Sequence, residues 1–298
     1  MTCYRGALEP LLPPTFALMK TPKIKPIIHF FCSFKNSMYK LNSSINSMIA
    51  VTLLCTLLSA DDSPKLANQS RLLRPPEKLV VLTFDDSVVN HATIVAPLLK
   101  KFGFSATFFI TEGFEFLTNK TNYMTWDQIK GLHAAGFEIG NHTRYHQGVN
   151  GQTTEQIEAG IIYIEEQCAK HQIPRPTSFC YPGYATSPLA VEVLRNRGYK
   201  FARAGGSTAF DPVKDNPLRM PQVFDSKPGV TFEQFTSAVA EAKDGKIAVL
   251  TFHGVPDRQH PWVNTEPAQF EKYLTYLKEQ DCTVIAARDI AKYLPKSK

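Results

Sequence analysis

Cysteine is scarce in this chain and badly placed for crosslinking. Of the six cysteines in 298 residues, only Cys168, Cys180 and Cys282 lie beyond residue 60. An odd, scattered set without a Cys-x-x-Cys pair excludes a disulfide framework and a cysteine-built structural zinc site. Charge of one sign is also lacking once the basic residues are located. The formal charge is +6, but residues 1–60 hold six Lys or Arg against one acid, Glu9, which leaves about +1 for the rest. A nucleic-acid partner therefore has no electrostatic support and is not expected. No internal repeat or low-complexity tract occurs, which excludes a solenoid. Long apolar runs are missing as well. The apolar stretch Met48 to Leu58 falls short of the roughly 20 residues that cross a bilayer, so no stable membrane span is expected.

What is present divides in two. Residues 1–77 mix prolines, basic residues and short apolar patches without a sustained period, and read as a leader and linker. Within it, residues 38–60 have a Lys-bearing start, an apolar middle and the small pair Ser59-Ala60 before an acidic sequence. That is the layout of a secretory signal peptide, so the expected destination is outside the cell, in the periplasm or in the cell envelope. From residue 78 to 298, apolar strand-like runs alternate with amphipathic patterns. Strands are expected near 78–84, 105–110, 137–141, 178–181, 200–204, 247–252 and 283–286. Helices are expected from Asn90 to Phe102 before Gly103, from Thr125 (with Gln128) to Gly136, and from Thr153 (with Gln156). Others start at Ser187-Pro188, at Thr231 (with Gln234) and after Thr265. The Thr-x-x-Gln pairs are capping boxes and the glycines are stops. A β-α alternation of this kind implies parallel strands with helical crossovers, and about seven units in roughly 220 residues favour a single irregular (β/α) barrel. The Pro-rich segment 212–228 shows no period and is expected to be a long surface loop.

Reactive groups in such folds gather at the carboxyl ends of the strands. "KLVVLTFDD" ends on Asp85 and Asp86, "FEIGNHTRYH" supplies His142 and His146, and "VLTFHG" delivers His253. Each alone is ordinary. An Asp-Asp pair after a strand is commonly a turn or a helix cap, and a lone His after a buried strand is commonly structural. Together they bring two carboxylates and three imidazoles to one mouth, a donor set that suits a divalent cation with open coordination positions. Successive residues of an extended chain point to opposite sides, so the two carboxylates are expected to have different tasks. One would hold the metal and the other would take a proton from water.

These residues resemble those of the polysaccharide deacetylases with the NodB homology domain, carbohydrate esterase family 4. "LTFDD", "GFEIGNHTRYH", "FCYPGY" and "VLTFHG" are similar to four of its motifs, in its order, and the likeness runs from about Lys78 to Tyr293. The resemblance implies a distorted barrel and a metal-dependent hydrolase that removes acetyl groups from a carbohydrate, chiefly N-acetyl groups of an amino-sugar polymer. Acetyl esters of xylan, small amides such as allantoin, or sugar binding without turnover are the alternatives it leaves. It implies that Asp85 is the general base, that Asp86, His142 and His146 hold the metal, and that His253 is the general acid. The implied metal is zinc, with cobalt, manganese or nickel as substitutes. A backbone N–H of "FCYPGY", placed at Gly183, would bind the oxyanion. Tyr181, Tyr184, Tyr145 and Trp262 are the further residues expected to touch the sugar.

Three departures from the family pattern carry expectations of their own. Cys180 stands where the family often has an arginine that pairs with the catalytic aspartate, and Arg203 in "FARAGG" is the candidate to replace it. The family's aspartate that positions the acid histidine is not evident, and Asp225 is the best candidate, with Asp211 behind it. Thr251 stands where a leucine is common, which implies a more polar pocket for the acetyl methyl group.

Overall fold

The computed structural model describes residues 73–294, so the signal segment expected at 38–60 lies outside the described residues. Eight strands form one sheet: β1 (Leu79–Phe84), β2 (Thr107–Ile110), β3 (Glu138–Asn141), β4 (Ser178–Cys180), β5 (Phe201–Arg203), β6 (Phe224–Asp225), β7 (Ala248–Phe252) and β8 (Thr283–Ile285). The helices are α1 (Ala96–Phe102), α2 (Trp126–Ala134), α3 (Thr154–Lys170), α4 (Pro188–Asn196), α5 (Phe232–Ala240) and α6 (Pro267–Glu279). A π-helical stretch, His91–Val95, runs directly into α1. The Thr125, Thr153 and Thr231 capping boxes are all formed, and Gly103 ends α1 in the left-handed conformation.

Every ladder is parallel, in the order β5-β4-β3-β2-β1-β7-β6. β8 pairs with the first half of β1, beside the stretch where β2 joins its second half. The fold is thus the irregular (β/α) barrel expected, with one strand more than the sequence pattern supplied. That strand lies in the segment expected to be a surface loop. Residues 220–226 instead cross the gap between the two ends of the sheet. Met220 exchanges backbone hydrogen bonds with Ala202 and Ala204 beside β5, and Val223 and Ser226 donate to Val249 and Thr251 of β7. Met220, Gln222, Phe224 and Ser226 are all buried. Pro217 precedes the segment and Pro221 lies within it, and they break any regular period, which hides a strand held by few ladder bonds.

β1 shows how the core positions the chemistry. Val80, Leu82 and Phe84 pack outward against Leu99 of α1 and Phe270 and Leu274 of α6. Leu79 and Val81 face inward to Phe201, Val249 and Ile285. With a side-chain period of two, Asp85 continues the inward row at the carboxyl end of the barrel.

Candidate functional site

Strand alternation would send Asp86 away from Asp85. The backbone instead turns left-handed at Asp86 (φ 72°) and Ser87 (φ 57°). The Ser87 hydroxyl pins this turn, donating to the Thr111 carbonyl at 2.8 Å and accepting from the Thr111 N–H at 2.9 Å. Both carboxylates therefore approach one imidazole: His142 Nε2 lies 3.5 Å from Asp86 Oδ1 and 4.0 Å from Asp85 Oδ2. His146 joins them from a loop that is left-handed at Thr143 and His146, with Nε2 3.3 Å from Asp86 Oδ1. Left-handed non-glycine residues are costly and concentrate where a surrounding structure imposes them, as here on both sides of the cluster.

The donor set of this cluster suits a cation. His142 Nδ1 is 2.8 Å from the Cys180 carbonyl, so that nitrogen carries a proton and donates, and Nε2 faces Asp86; burial lowers the His142 pKa, but Cys180, Asp86 and Asp85 outweigh it and raise it well above the ordinary value. Asp86 Oδ1 is buried and has no hydrogen-bond partner. Burial raises the Asp86 carboxyl, but the imidazoles of His142, His253 and His146 beside it outweigh burial and hold it below the ordinary carboxylate range. His146 is pushed down to about 4, chiefly by burial, and is neutral near pH 7. One carboxylate and two imidazoles thus converge on one point, and Asp86, His142 and His146 lie close enough to share one ion. Their types fit a divalent metal. Asp85, His142 and Cys180 form a second close group. Burial pushes the Cys180 thiol up, away from the thiolate that metal ligation requires, so the first group is the better site.

Asp85 is held from the other side. Arg203 is completely buried, and its Nη2 donates to Asp85 Oδ2 while lying against Cys180 Sγ. Its Nη1 donates to Gln222 Oε1 and to Thr251 Oγ1, the latter at 2.9 Å. Burial raises the Asp85 carboxyl, yet Arg203, His142 and His253 together hold it below its usual value. Its Oδ1 has no partner. Thr251 is therefore not a wall of an acetyl pocket as expected. It is fully buried, and its hydroxyl is committed to Arg203 and Gln222.

His253 follows β7, with Nε2 3.9 Å from Asp85 Oδ2. Its carbonyl accepts from His91 Nε2 at 2.9 Å, and its Nδ1 has no partner. Asp225 lines the same cleft but accepts from the Tyr184 hydroxyl at 3.1 Å and does not bond to His253. Asp211 is far from this role, bound to the backbone of its own loop at Val213 and Lys214.

The cleft, of about 220 Å3, is lined by Asp85, Asp86, His142, His146 and His253 with Gly183, Tyr184, Asp225, His260 and Trp262. Two expected sugar contacts are elsewhere. Tyr181 is fully buried, and its hydroxyl donates to the Leu218 carbonyl at 2.8 Å. As the first residue after β4 it alternates into the layer beneath α3 and α4, among Phe179, Ile161 and Leu194. Tyr145 is exposed but faces a separate hollow beside Gln147 and α3. The sequence reading missed Phe114, Gln222, Asp257 and His260. Only Asp257-x-x-His260 beside Trp262 left a local signal.

A parallel barrel with a carboxylate–imidazole cluster at its carboxyl-terminal mouth defines the class. Residues 73–202 match the polysaccharide deacetylase family, that of the NodB domain and carbohydrate esterase family 4. The Bacillus subtilis protein YxkH is 35% identical over 127 residues, which is 43% of this chain and 44% of that one. The chain thus spans less than half the length of that relative. A peptidoglycan-N-acetylglucosamine deacetylase of Bacillus cereus is 26% identical over 218 residues, 73% of this chain and 90% of the relative. A family 4 acetyl xylan esterase from Clostridium thermocellum, solved with a cobalt ion, shares the fold, with a TM-score of 0.51, 22% identity, and 73% and 93% of the two chains covered. Among the described residues, no helix is long and apolar enough to cross a membrane.

Proposed function

We propose that this protein is a metal-dependent hydrolase that removes N-acetyl groups from an amino-sugar polymer. The observation that carries this reading is the convergence of Asp86, His142 and His146 beside an arginine-held Asp85 and a free-edged His253 in one cleft. The named activity of the Bacillus cereus relative supports the substrate class.

Asp86, His142 and His146 are the ligands in this proposal, and zinc is the ion that suits one carboxylate and two imidazoles with open positions. A divalent ion there supplies Lewis acidity to an amide carbonyl and acidifies water. Asp85 remains ionised at neutral pH, and its unpartnered Oδ1 takes the proton of the attacking water. Arg203 keeps the other oxygen occupied, which fixes the direction of the lone pair. The Gly183 N–H, at the left-handed turn Pro182–Tyr184 on the cleft wall, donates to the developing oxyanion. His253 gives a proton from Nε2 to the departing amine.

The test is metal content measured together with acetate release from chitin oligomers, peptidoglycan and acetylxylan. About one ion per chain and acetate from an N-acetylated substrate are expected, with activity lost on chelation and regained with zinc. Asp85→Asn should abolish release and keep metal and sugar binding. A metal-loaded wild type that releases acetate from none of the three sinks the reading, and release from acetylxylan alone moves it to esters. Export through the segment at 38–60, ahead of a catalytic domain at 78–298, belongs to the same proposal and is read by the mature N-terminus of secreted protein.

A further inference from the structure

The loop after β7 carries a second imidazole into the cleft, and the chemistry proposed above does not use it. Gly254 makes the loop possible: a Cβ there would meet Asp257 Cα at 2.7 Å, so a side chain would block the return of the chain. Asp257 is buried inside the turn and accepts from the backbone N–H groups of Gly254 at 3.3 Å, Gln259 at 3.2 Å and His260 at 2.8 Å. Its own N–H donates to Asn264 Oδ1 at 2.7 Å, and the Thr265 N–H closes the loop on the Gly254 carbonyl. His260 Nδ1 faces the same carboxylate at 3.4 Å, which leaves Nε2 as the free ring nitrogen. The hydrogen bond to Asp257 also raises the His260 pKa, so the ring keeps its protons more readily than an ordinary histidine.

Two aromatic rings bracket this imidazole. Phe114, from the loop after β2, lies at 4.7 Å and Trp262 at 5.4 Å between ring centroids. Phe114 is 46% and Trp262 67% exposed, so two large ring faces are left open beside an oriented polar nitrogen. His260 and Trp262 share the cleft with Asp85 and the metal-ligand cluster. Pyranose rings are held in this way, with a C–H face on an aromatic ring and a hydroxyl or ring oxygen on a fixed polar group.

We propose that His260 is a substrate-positioning residue: anchored through Nδ1 to Asp257 and flanked by Phe114 and Trp262, it binds a neighbouring sugar unit of the polymer whose acetyl group is cleaved. It rests on the carbohydrate reading above. Binding of the N-acetylglucosamine tetramer to the metal-loaded full chain carrying Asp85→Asn is measured by calorimetry. Adding His260→Ala should weaken it about tenfold and His260→Gln, which keeps a donor, about threefold. Trp262→Ala, at an exposed ring whose loss leaves the core intact, should also weaken it several-fold. With Asp85 restored, His260→Ala should raise KM about tenfold and lower kcat less than about threefold. Equal tetramer affinity with and without His260→Ala overturns the proposal, as does no tetramer binding at all or a loss confined to kcat. If the wild type releases no acetate yet binding responds to His260→Ala as stated, positioning stands and the hydrolase reading alone falls.

Discussion

At the scale of single residues, Arg203 shows how the contact that the resemblance placed at position 180 is made from the neighbouring strand. β4 and β5 pair so that Cys180 stands directly opposite Arg203. In a parallel ladder such partners point to the same face, so a guanidinium from either position reaches Asp85. The smaller Cys180 leaves room for it, and Gln222 and Thr251 accept from its Nη1. Arg203→Ala should lower kcat by about 10²-fold through a misplaced base. It should also cost roughly 3–5 kcal/mol in denaturant unfolding, because a buried carboxylate loses its partner. Cys180→Arg placed in the Arg203→Ala background should restore part of kcat, and no recovery would show that the register does not make the two positions equivalent. The departure at Cys180 was legible in sequence, and so was Arg203 as a candidate. Gln222 and Thr251 were not, because their role exists only once β5, β7 and residues 220–226 are side by side.

Loops and strand ends set the carboxylate–imidazole cluster at the scale of elements. Gly113, in the loop after β2, lies so close to the second histidine loop that a Cβ would meet His146 Cβ at 2.8 Å and the Tyr145 carbonyl carbon at 2.9 Å. Gly113→Ala must therefore push His146 away from Asp86 and should weaken metal binding by about 10–100-fold, measured by competition with a chelating dye. A Cβ at Gly131, inside α2, would meet nothing within 4 Å among the described residues. Gly131→Ala should leave metal affinity unchanged and raise stability by about 0.5–1 kcal/mol. Capping boxes made three of the six helix starts legible, since their signal is confined to four residues. The segment 220–226 was illegible for the opposite reason: its strand is held by partners far away in sequence.

The whole molecule responds to pH through groups that the fold keeps uncharged or paired. His91 is buried against Phe84 and Phe108, and burial lowers its pKa to about 4 from an ordinary 6.5. Between these values the unfolded chain takes up a proton that the folded one refuses, so stability falls as pH drops below about 6.5 and the full loss is reached below about 4. Asp85, whose carboxyl is depressed in the folded state, acts in the same direction at lower pH. The loss from His91 alone should be about 2 kcal/mol at pH 5 relative to pH 7. Urea unfolding of the metal-free protein at the two pH values reads it. His91→Gln should flatten that dependence by a similar amount, and an unchanged slope would exclude His91 as its source.

Sequence alone determined the class of fold, the helix starts and the five residues of the cluster, because a period, a capping box and a strand-end position are all local properties. It also located the two open questions, the partner of Asp85 and the partner of His253. Only the tertiary structure decided them. Arg203 reaches Asp85 through the β4–β5 register, His253 Nδ1 has no partner while Asp225 turns to Tyr184, and Asp257 holds His260 instead. A left-handed turn at Asp86 brought two adjacent carboxylates to one imidazole where alternation alone would have parted them. These are contacts between residues distant in sequence, or departures from regular backbone that distant contacts impose, and a local pattern carries no record of either.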